Sequence, residues 1–268
     1  TRGVHCIVYI DDFFIMADSE SDCQHQLDIL LFELSSLGII VSPKKCTCPA
    51  QVTRFLGLDI DSLNMEVRVP NDKLASISAE VSSFRSILAT SLMVPLHLLL
   101  SLVGRLSHVA RAVASSRCFL RRLWDVLRQG QASHTSQVAS TSSHKHRRAH
   151  FNSVLCSTSI KEDLDWWSEF LVTWNGIARW ISGPEGVCFT DASSVGFGLH
   201  FGLLFRLGSW SSDHRRFHIN WKELKTVEIA CSQFGSLWSG RKSLFASDNS
   251  SVVGILNSGS SRNPNLMA

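Results

Sequence analysis

Val4-His5-Cys6-Ile7-Val8-Tyr9-Ile10-Asp11-Asp12-Phe13-Phe14-Ile15-Met16 is the stretch on which the fold turns. Two adjacent carboxylates stand between two runs of β-branched and aromatic residues. The pattern predicts a tight hairpin: strand, Asp-Asp tip, strand. Both flanks are apolar enough that at least one face of the hairpin is expected to be buried. Two acids at the end of a buried element repel each other and lose hydration unless a cation lies between them. Carboxylates are the ligands Mg²⁺ prefers. The plain alternative is a solvated turn, since Asp is a favoured turn residue.

Working outward, Ser19 or Ser21 can cap a helix through Gln24, Leu27, Leu30, Leu31, Leu34 and Leu37, closed by Gly38. A loop with Lys44 and Lys45 follows. Thr53–Ile60 and Met65–Val69 read as two strands joined by a turn at residues 61–64. On this reading Phe55-Leu56-Gly57 is strand with a bulge glycine.

Pro70-Asn71-Asp72 starts a helix whose apolar stripe is Leu74, Ile77, Val81, Phe84 and Leu88. Pro95 opens a helical region to about Arg128, breaking at Ser115-Ser116, with Leu99, Leu102, Val103, Leu106, Val109, Ala110 and Val113 on its core face. Its polar positions are mostly basic: Arg105, Arg111, Arg117, Arg121, Arg122 and Arg128, opposed along the segment by Asp125 alone. Such a face fits nucleic-acid phosphates, or else a solvated bundle surface. From Gln129 to His150, Ser, Thr, Gln and His dominate, which predicts a linker. A short helix from Ser159 to Trp174 then carries Leu164, Trp167 and Leu171 toward a core, within a segment rich in Trp (Trp166, Trp167, Trp174 and Trp180).

From Gly186 the pattern becomes α/β. A buried strand Val187–Thr190 ends at Asp191, and strands follow at Val195–Phe201 and Leu204–Trp210. Asn220 is placed as the cap of a helix containing Glu223, and a fourth strand, Ser243–Ser247, ends at Asp248 before a helix from Asn249 to Asn257. Each acid has an ordinary role available: Asp191 as a turn residue, Glu223 in a capping box with Asn220, Asp248 as a helix cap. Together they fit strand ends and a helix start converging on a metal pair.

Composition bounds the class. The 268 residues are 44% hydrophobic and 18% charged, as in a globular chain with a sizeable core. Net charge is +3 and the pI about 8.5, only mildly basic. No apolar run reaches membrane-spanning length, and the N-terminus lacks a signal-peptide layout. The eight cysteines are irregularly spaced and read as reduced thiols, which places the chain in an intracellular compartment, cytoplasmic or nuclear. An opening directly into a strand, with no Met, fits a fragment of a longer protein.

Tyr9-Ile10-Asp11-Asp12 resembles the Tyr-x-Asp-Asp box of reverse transcriptases. The parts behind it stand in that family's order: helix ending in Gly38, lysine loop, then Phe55-Leu56-Gly57. Thr190-Asp191-Ala192-Ser193, Trp221-Lys222-Glu223-Leu224 and Ser247-Asp248-Asn249 resemble the three acidic motifs of ribonuclease H. The variants Asp163-Leu164-Asp165-Trp166-Trp167, Trp174-Asn175-Gly176 and Asn220-Trp221-Lys222-Glu223-Leu224 look most like DIRS-type retrotransposons, which carry a tyrosine recombinase.

The resemblance implies an α+β and α/β chain. Residues 1–70 would be the C-terminal part of a reverse-transcriptase palm, 71–129 a helical thumb or connection, 130–158 a linker, 159–185 a connector helix, and 186–268 a ribonuclease H-like domain with a mixed sheet. It implies RNA-directed DNA polymerase and RNA–DNA hybrid ribonuclease activity. Asp11 and Asp12 would hold metal at one site, and Asp191, Glu223 and Asp248 at the other. Each site would take two Mg²⁺ ions, with Mn²⁺ as a substitute, about 4 Å apart at the nuclease site. Tyr9, Lys44, Lys45, Phe55, Leu56, Gly57, Arg105 and Arg111 would contact substrate. The implied partners are an RNA template, a DNA primer, the RNA–DNA hybrid and deoxynucleoside triphosphates, with no membrane. The family's upstream polymerase Asp and its fourth nuclease acid would lie outside these residues. The rival reading is a non-catalytic, nucleic-acid-binding remnant of a decayed retroelement.

Overall fold

The computed structural model describes residues 3–140, 153–178, 186–238, 242–259, 261, 263 and 266. Trp180 and residues 141–152 of the predicted linker lie outside them. The first hairpin pairs β1 (Cys6–Tyr9) with β2 (Asp12–Ile15), Tyr9 opposite Asp12. Its tip is therefore Ile10-Asp11 rather than Asp11-Asp12, and Ile10 takes φ +56°. A β-branched residue there is strained, by about 1–3 kcal/mol.

The hairpin is not buried as its sequence predicts. Ile7, Val8, Tyr9, Phe13 and Met16 are all exposed, and Ile10 is 83% exposed. Two short strands expose both faces unless something packs on each. Here the cover is α1 (Glu20–Ser36) and the Phe55 ring, 4.9 Å from Phe14. Ser19 caps α1 by accepting from the Asp22 N–H, and Gly38 follows at φ +77°.

After a single 3₁₀ turn at Pro43–Lys45, a sheet forms in the order β3 (Val52–Phe55), β4 (Leu58–Asp61), β5 (Glu66–Arg68), β8 (Ile177–Ala178). The stretch expected as one long strand from Thr53 to Ile60 is thus two. Leu56 and Gly57, at φ +47° and +76°, form a two-residue hairpin turn. Both central φ values are positive, the geometry whose twist matches paired strands. A Cβ on Gly57 would meet Lys73 Nζ, which donates instead to the Gly57 carbonyl.

The stripes of the next two helices behave as read, whereas in α1 only Leu34 is buried and Leu37 is exposed. In α2 (Asn71–Thr90) the buried residues are Leu74, Ile77, Val81, Phe84 and Leu88. In α3 (Leu96–Val109) they are Leu99, Leu102, Val103, Leu106 and Val109. A 3₁₀ turn at Ser116–Leu120 leads into α4 (Arg121–Ser140). These helices share one core with α5 (Ser159–Thr173), whose Ile160, Leu164, Trp167 and Leu171 are buried. Each such side chain contributes roughly 1.5–3 kcal/mol.

The predicted linker is partly structured: α4 runs through to Ser140, and β7 (Ser153–Leu155) pairs with β6 (Met93–Pro95). Asn175 ties the connector to the sheet edge, accepting from the Val69 N–H and donating to its carbonyl.

The second core belongs to a mixed sheet in the order β11 (Leu204–Ser209), β10 (Gly196–Phe201), β9 (Gly186–Ala192), β12 (Ser243–Ala246). β9 is antiparallel to β10 and parallel to β12. One face packs on α7 (Ile219–Phe234), burying Cys188, Leu199, Ala230 and Phe234. A short helix α6 (Ser212–Arg215) precedes α7, and α8 (Ser250–Ser258) follows β12. Among the described residues no helix is long and apolar enough to cross a membrane.

The arginines expected to form a free basic face are largely ion-paired. Arg105 meets Glu80 of α2 at 3.3 Å, Arg121 and Arg128 share Asp125, and Arg122 bridges Glu162 and Asp163 of α5. Asp163 is 1% exposed, and burial raises its pKa while Arg122 opposes the rise. Arg122→Leu is expected to leave that carboxylate unpaired and cost about 1–3 kcal/mol. A thermal melt should show a lower midpoint, with a larger loss at mildly alkaline than at acidic pH, because protonation removes the unpaired charge. An unchanged midpoint at both would refute this role.

Candidate metal centre

Asp191, Glu223 and Asp248 each place one carboxylate oxygen within 4.8 Å of the others. Asp191 lies near the end of β9, opposite Gly198 of β10. Glu223 sits in the second turn of α7, and Asp248 lies two residues beyond β12. The ordinary roles open to two of these acids are filled by other residues. His218, not Asn220, caps α7, accepting from the Asn220 N–H at 3.2 Å, so no capping box reaches Glu223. Asn249 caps α8 through the Ser251 and Val252 N–H groups, which leaves Asp248 without that task.

Asp191 and Asp248 are exposed, while Glu223 is 3% exposed. Glu223 Oε1 accepts from the Ala192 N–H at 3.1 Å, and Oε2 is buried with no partner. Burial holds the Glu223 carboxyl above its usual range. The Asp191 and Asp248 charges add to the rise, against the pull of the Ala192 N–H. An unpartnered buried oxygen amid like charges is the chemistry a divalent cation relieves, so this donor set fits Mg²⁺ or Mn²⁺.

Asp191 and Asp248, but not Glu223, line a cleft of about 720 Å³. Phe189, His200, Phe205 and Leu207 line the rest. Val187–Thr190 is therefore not a strand buried throughout. Cys188 and Thr190 point inward, whereas Phe189 is 53% exposed. Period-two alternation in Val187–Asp191 already places Phe189 on the Asp191 face, a signal the apolar run obscured.

The other anticipated site residues are spread over the first hairpin, the lysine loop, the β3–β4 turn and α3 with the turn after it. Asp11 and Asp12 are exposed at the hairpin turn beside Tyr9. Lys44 and Lys45 are exposed on their 3₁₀ turn, and Phe55-Leu56-Gly57 reaches the hairpin through Phe14. Arg105 donates to Ser76 beside its Glu80 pair, and Arg111 follows α3 on an exposed turn. Among the described residues, no third metal-ligating side chain joins Asp11 and Asp12.

Residues 1–60 match the family model "Reverse transcriptase (RNA-dependent DNA polymerase)". The enzymatic polyprotein of Figwort mosaic virus (strain DxS) is 38% identical over 56 residues, or 21% of this chain and 8% of that polyprotein. Among solved structures, the foamy viral protease-reverse transcriptase in complex with an RNA/DNA hybrid aligns with 98% of this chain and 33% of its own, at 16% identity and TM-score 0.47. The same protein in complex with dsDNA aligns with 97% and 49%, at 15% identity and TM-score 0.45. The chain thus spans less than half the length of these proteins.

The site makes a stability prediction. A carboxyl with a raised pKa binds its proton more tightly in the folded chain than in the unfolded one. In metal-free protein Glu223 therefore contributes most to stability below the ordinary carboxyl range, and that contribution is lost as pH rises through the raised value. Glu223→Gln keeps an acceptor for Ala192 and removes the charge. At neutral pH it should raise the metal-free thermal midpoint by about 2–4 °C while weakening Mg²⁺ binding. A lowered midpoint would show that the carboxylate is not strained.

Proposed function

We propose that this chain is a segment of a retroelement polyprotein of the reverse transcriptase–ribonuclease H type, and that its competent centre is a two-metal nuclease acting on an RNA–DNA hybrid. The observation that carries the reading is the convergence of Asp191, Glu223 and Asp248 within 4.8 Å, with Glu223 buried. Asp191, Glu223 and Asp248 would hold Mg²⁺ or Mn²⁺, which supplies Lewis acidity and an activated water when bound.

The chain's own part is positional. Glu223, fixed by the Ala192 N–H, presents the deep oxygen of the site. Asp191 and Asp248 present theirs from the solvent side, where a phosphodiester backbone can approach. No side-chain nucleophile is needed. The DIRS-type affiliation rests on the sequence variants around Asp163, Trp174 and Asn220.

The parent activity at the hairpin would be RNA-directed DNA synthesis from a DNA primer and deoxynucleoside triphosphates, with Asp11 and Asp12 as metal ligands. The match over residues 1–60 supports that assignment.

The test is Mg²⁺-dependent cleavage of the RNA strand of a hybrid by the 268-residue chain. Asp191→Asn should reduce the rate by about 10²-fold or more. Cleavage that survives this change would assign the activity elsewhere. Hybrid binding without cleavage or divalent-ion binding would establish the non-catalytic remnant.

A further inference from the structure

The three acids come from three elements, and what fixes each spacing differs. Asp191 and Glu223 are linked through Ala192, the residue after Asp191. Glu223 Oε1 accepts from the Ala192 N–H, and buried Lys222 donates to the Ser194 carbonyl at 3.0 Å, in the turn after β9. Asp248 has no such support from the sheet. The pairing of β12 with β9 ends at Ala246 opposite Phe189, two residues short of Asp248.

The side chain that bridges this gap is the neighbouring Asn249. Its Oδ1 accepts from the Ser251 and Val252 N–H groups, at 3.1 and 3.3 Å. With both helix donors aimed at it, that atom must be the oxygen, so the amide nitrogen faces outward. Nδ2 donates to Asn220 Oδ1 at 2.9 Å. Asn220 lies on α7, three residues before Glu223. One amide therefore caps the helix that starts beside Asp248 and also ties that start to the helix carrying Glu223. The Asn249 N–H donates to Ser247 Oγ at 3.2 Å, which fixes the backbone on the other side of Asp248.

We propose that Asn220 and Asn249 are positioning residues. Their side-chain hydrogen bond sets the distance from Asp248 to Glu223 and so the affinity of the centre for divalent cations. The proposal rests on the acid triad being a metal site. Ser or Asp could cap α8 about as well as Asn, but a carboxylate could not donate to Asn220.

The experiment is a double-mutant cycle on the full chain, titrating Mn²⁺ and following the free ion by electron paramagnetic resonance, with a thermal melt of each metal-free variant. Asn249→Ser keeps a capping oxygen and loses the bridge, and Asn220→Ala removes the acceptor while leaving the cap intact. Each is expected to weaken Mn²⁺ binding about tenfold, the scale of outer-sphere ligand support. The double variant should be no weaker than either single one, because one bond is lost once. Metal-free midpoints should change little for Asn220→Ala, which separates positioning from folding. Unchanged affinity in both single variants overturns the proposal, as does an additive, roughly hundredfold loss in the double variant. No Mn²⁺ binding by the unaltered chain overturns the metal reading itself, and the positioning role with it.

Discussion

Three carboxylates within 4.8 Å of one another, one of them buried, are the constraint around which residues 186–259 are built. Like charges at that spacing repel, and the buried member also forgoes hydration. A cluster of this kind persists only where the surrounding structure over-determines it. Each acid stands next to a fixed backbone point: Asp191 on paired β9, Glu223 on the helix against that sheet, Asp248 between β12 and the capped start of α8. The parallel β9–β12 pairing brings the two strand-end acids side by side. The packing of α7 on β9, through Cys188 and Ala230, sets the depth of the third.

The first core solves a different problem. Helices α2, α3, α4 and α5 pack their apolar stripes together, and the polar bonds that cross between segments set the register. Asn175 brackets Val69, Arg122 reaches Asp163, and the Trp167 indole N–H donates to the Phe119 carbonyl at 3.1 Å. Phe119 and Trp166 stack at 4.2 Å beside it. The Trp-rich connector is thus a packed joint between helices. Trp166 meets both Trp167 and Trp174 edge-on, at 5.5 and 5.8 Å.

Helical order was legible because a single period carries it. All five stripe positions read for α2 are the buried ones, and the same holds for the seven read in and just beyond α3. Features set by pairing across long separations were not. Nothing local in Ser153–Leu155 announces a strand partnered by Met93–Pro95. The turn at Leu56-Gly57 required a non-glycine residue at positive φ, which propensity does not foresee. The basic face was misjudged for a related reason. Acids were counted along the arginines' own segment, whereas Glu80, Glu162 and Asp163 approach from α2 and α5. The acids Asp191, Glu223 and Asp248 were legible as a set. Their ordinary roles as caps could be dismissed only once His218 and Asn249 were found holding them.

The two acidic sites occupy opposite physical regimes. Asp11 and Asp12 stand exposed on a hairpin that solvent already satisfies, so no local energy demands a cation there. What marks that turn is the strained Ile10 backbone and the match over residues 1–60. The two-residue turn itself calls for positive φ at that position, and placing a β-branched residue there is what makes it costly. At the other site the demand is local: Glu223 Oε2 is buried, unpartnered and faced by two like charges. Sequence similarity is therefore the stronger guide to the first site and electrostatics to the second. An argument for metal binding drawn from adjacency of two acids in sequence holds only where burial makes that adjacency costly. In this chain the adjacent pair is exposed, and the costly cluster is assembled from residues 191, 223 and 248.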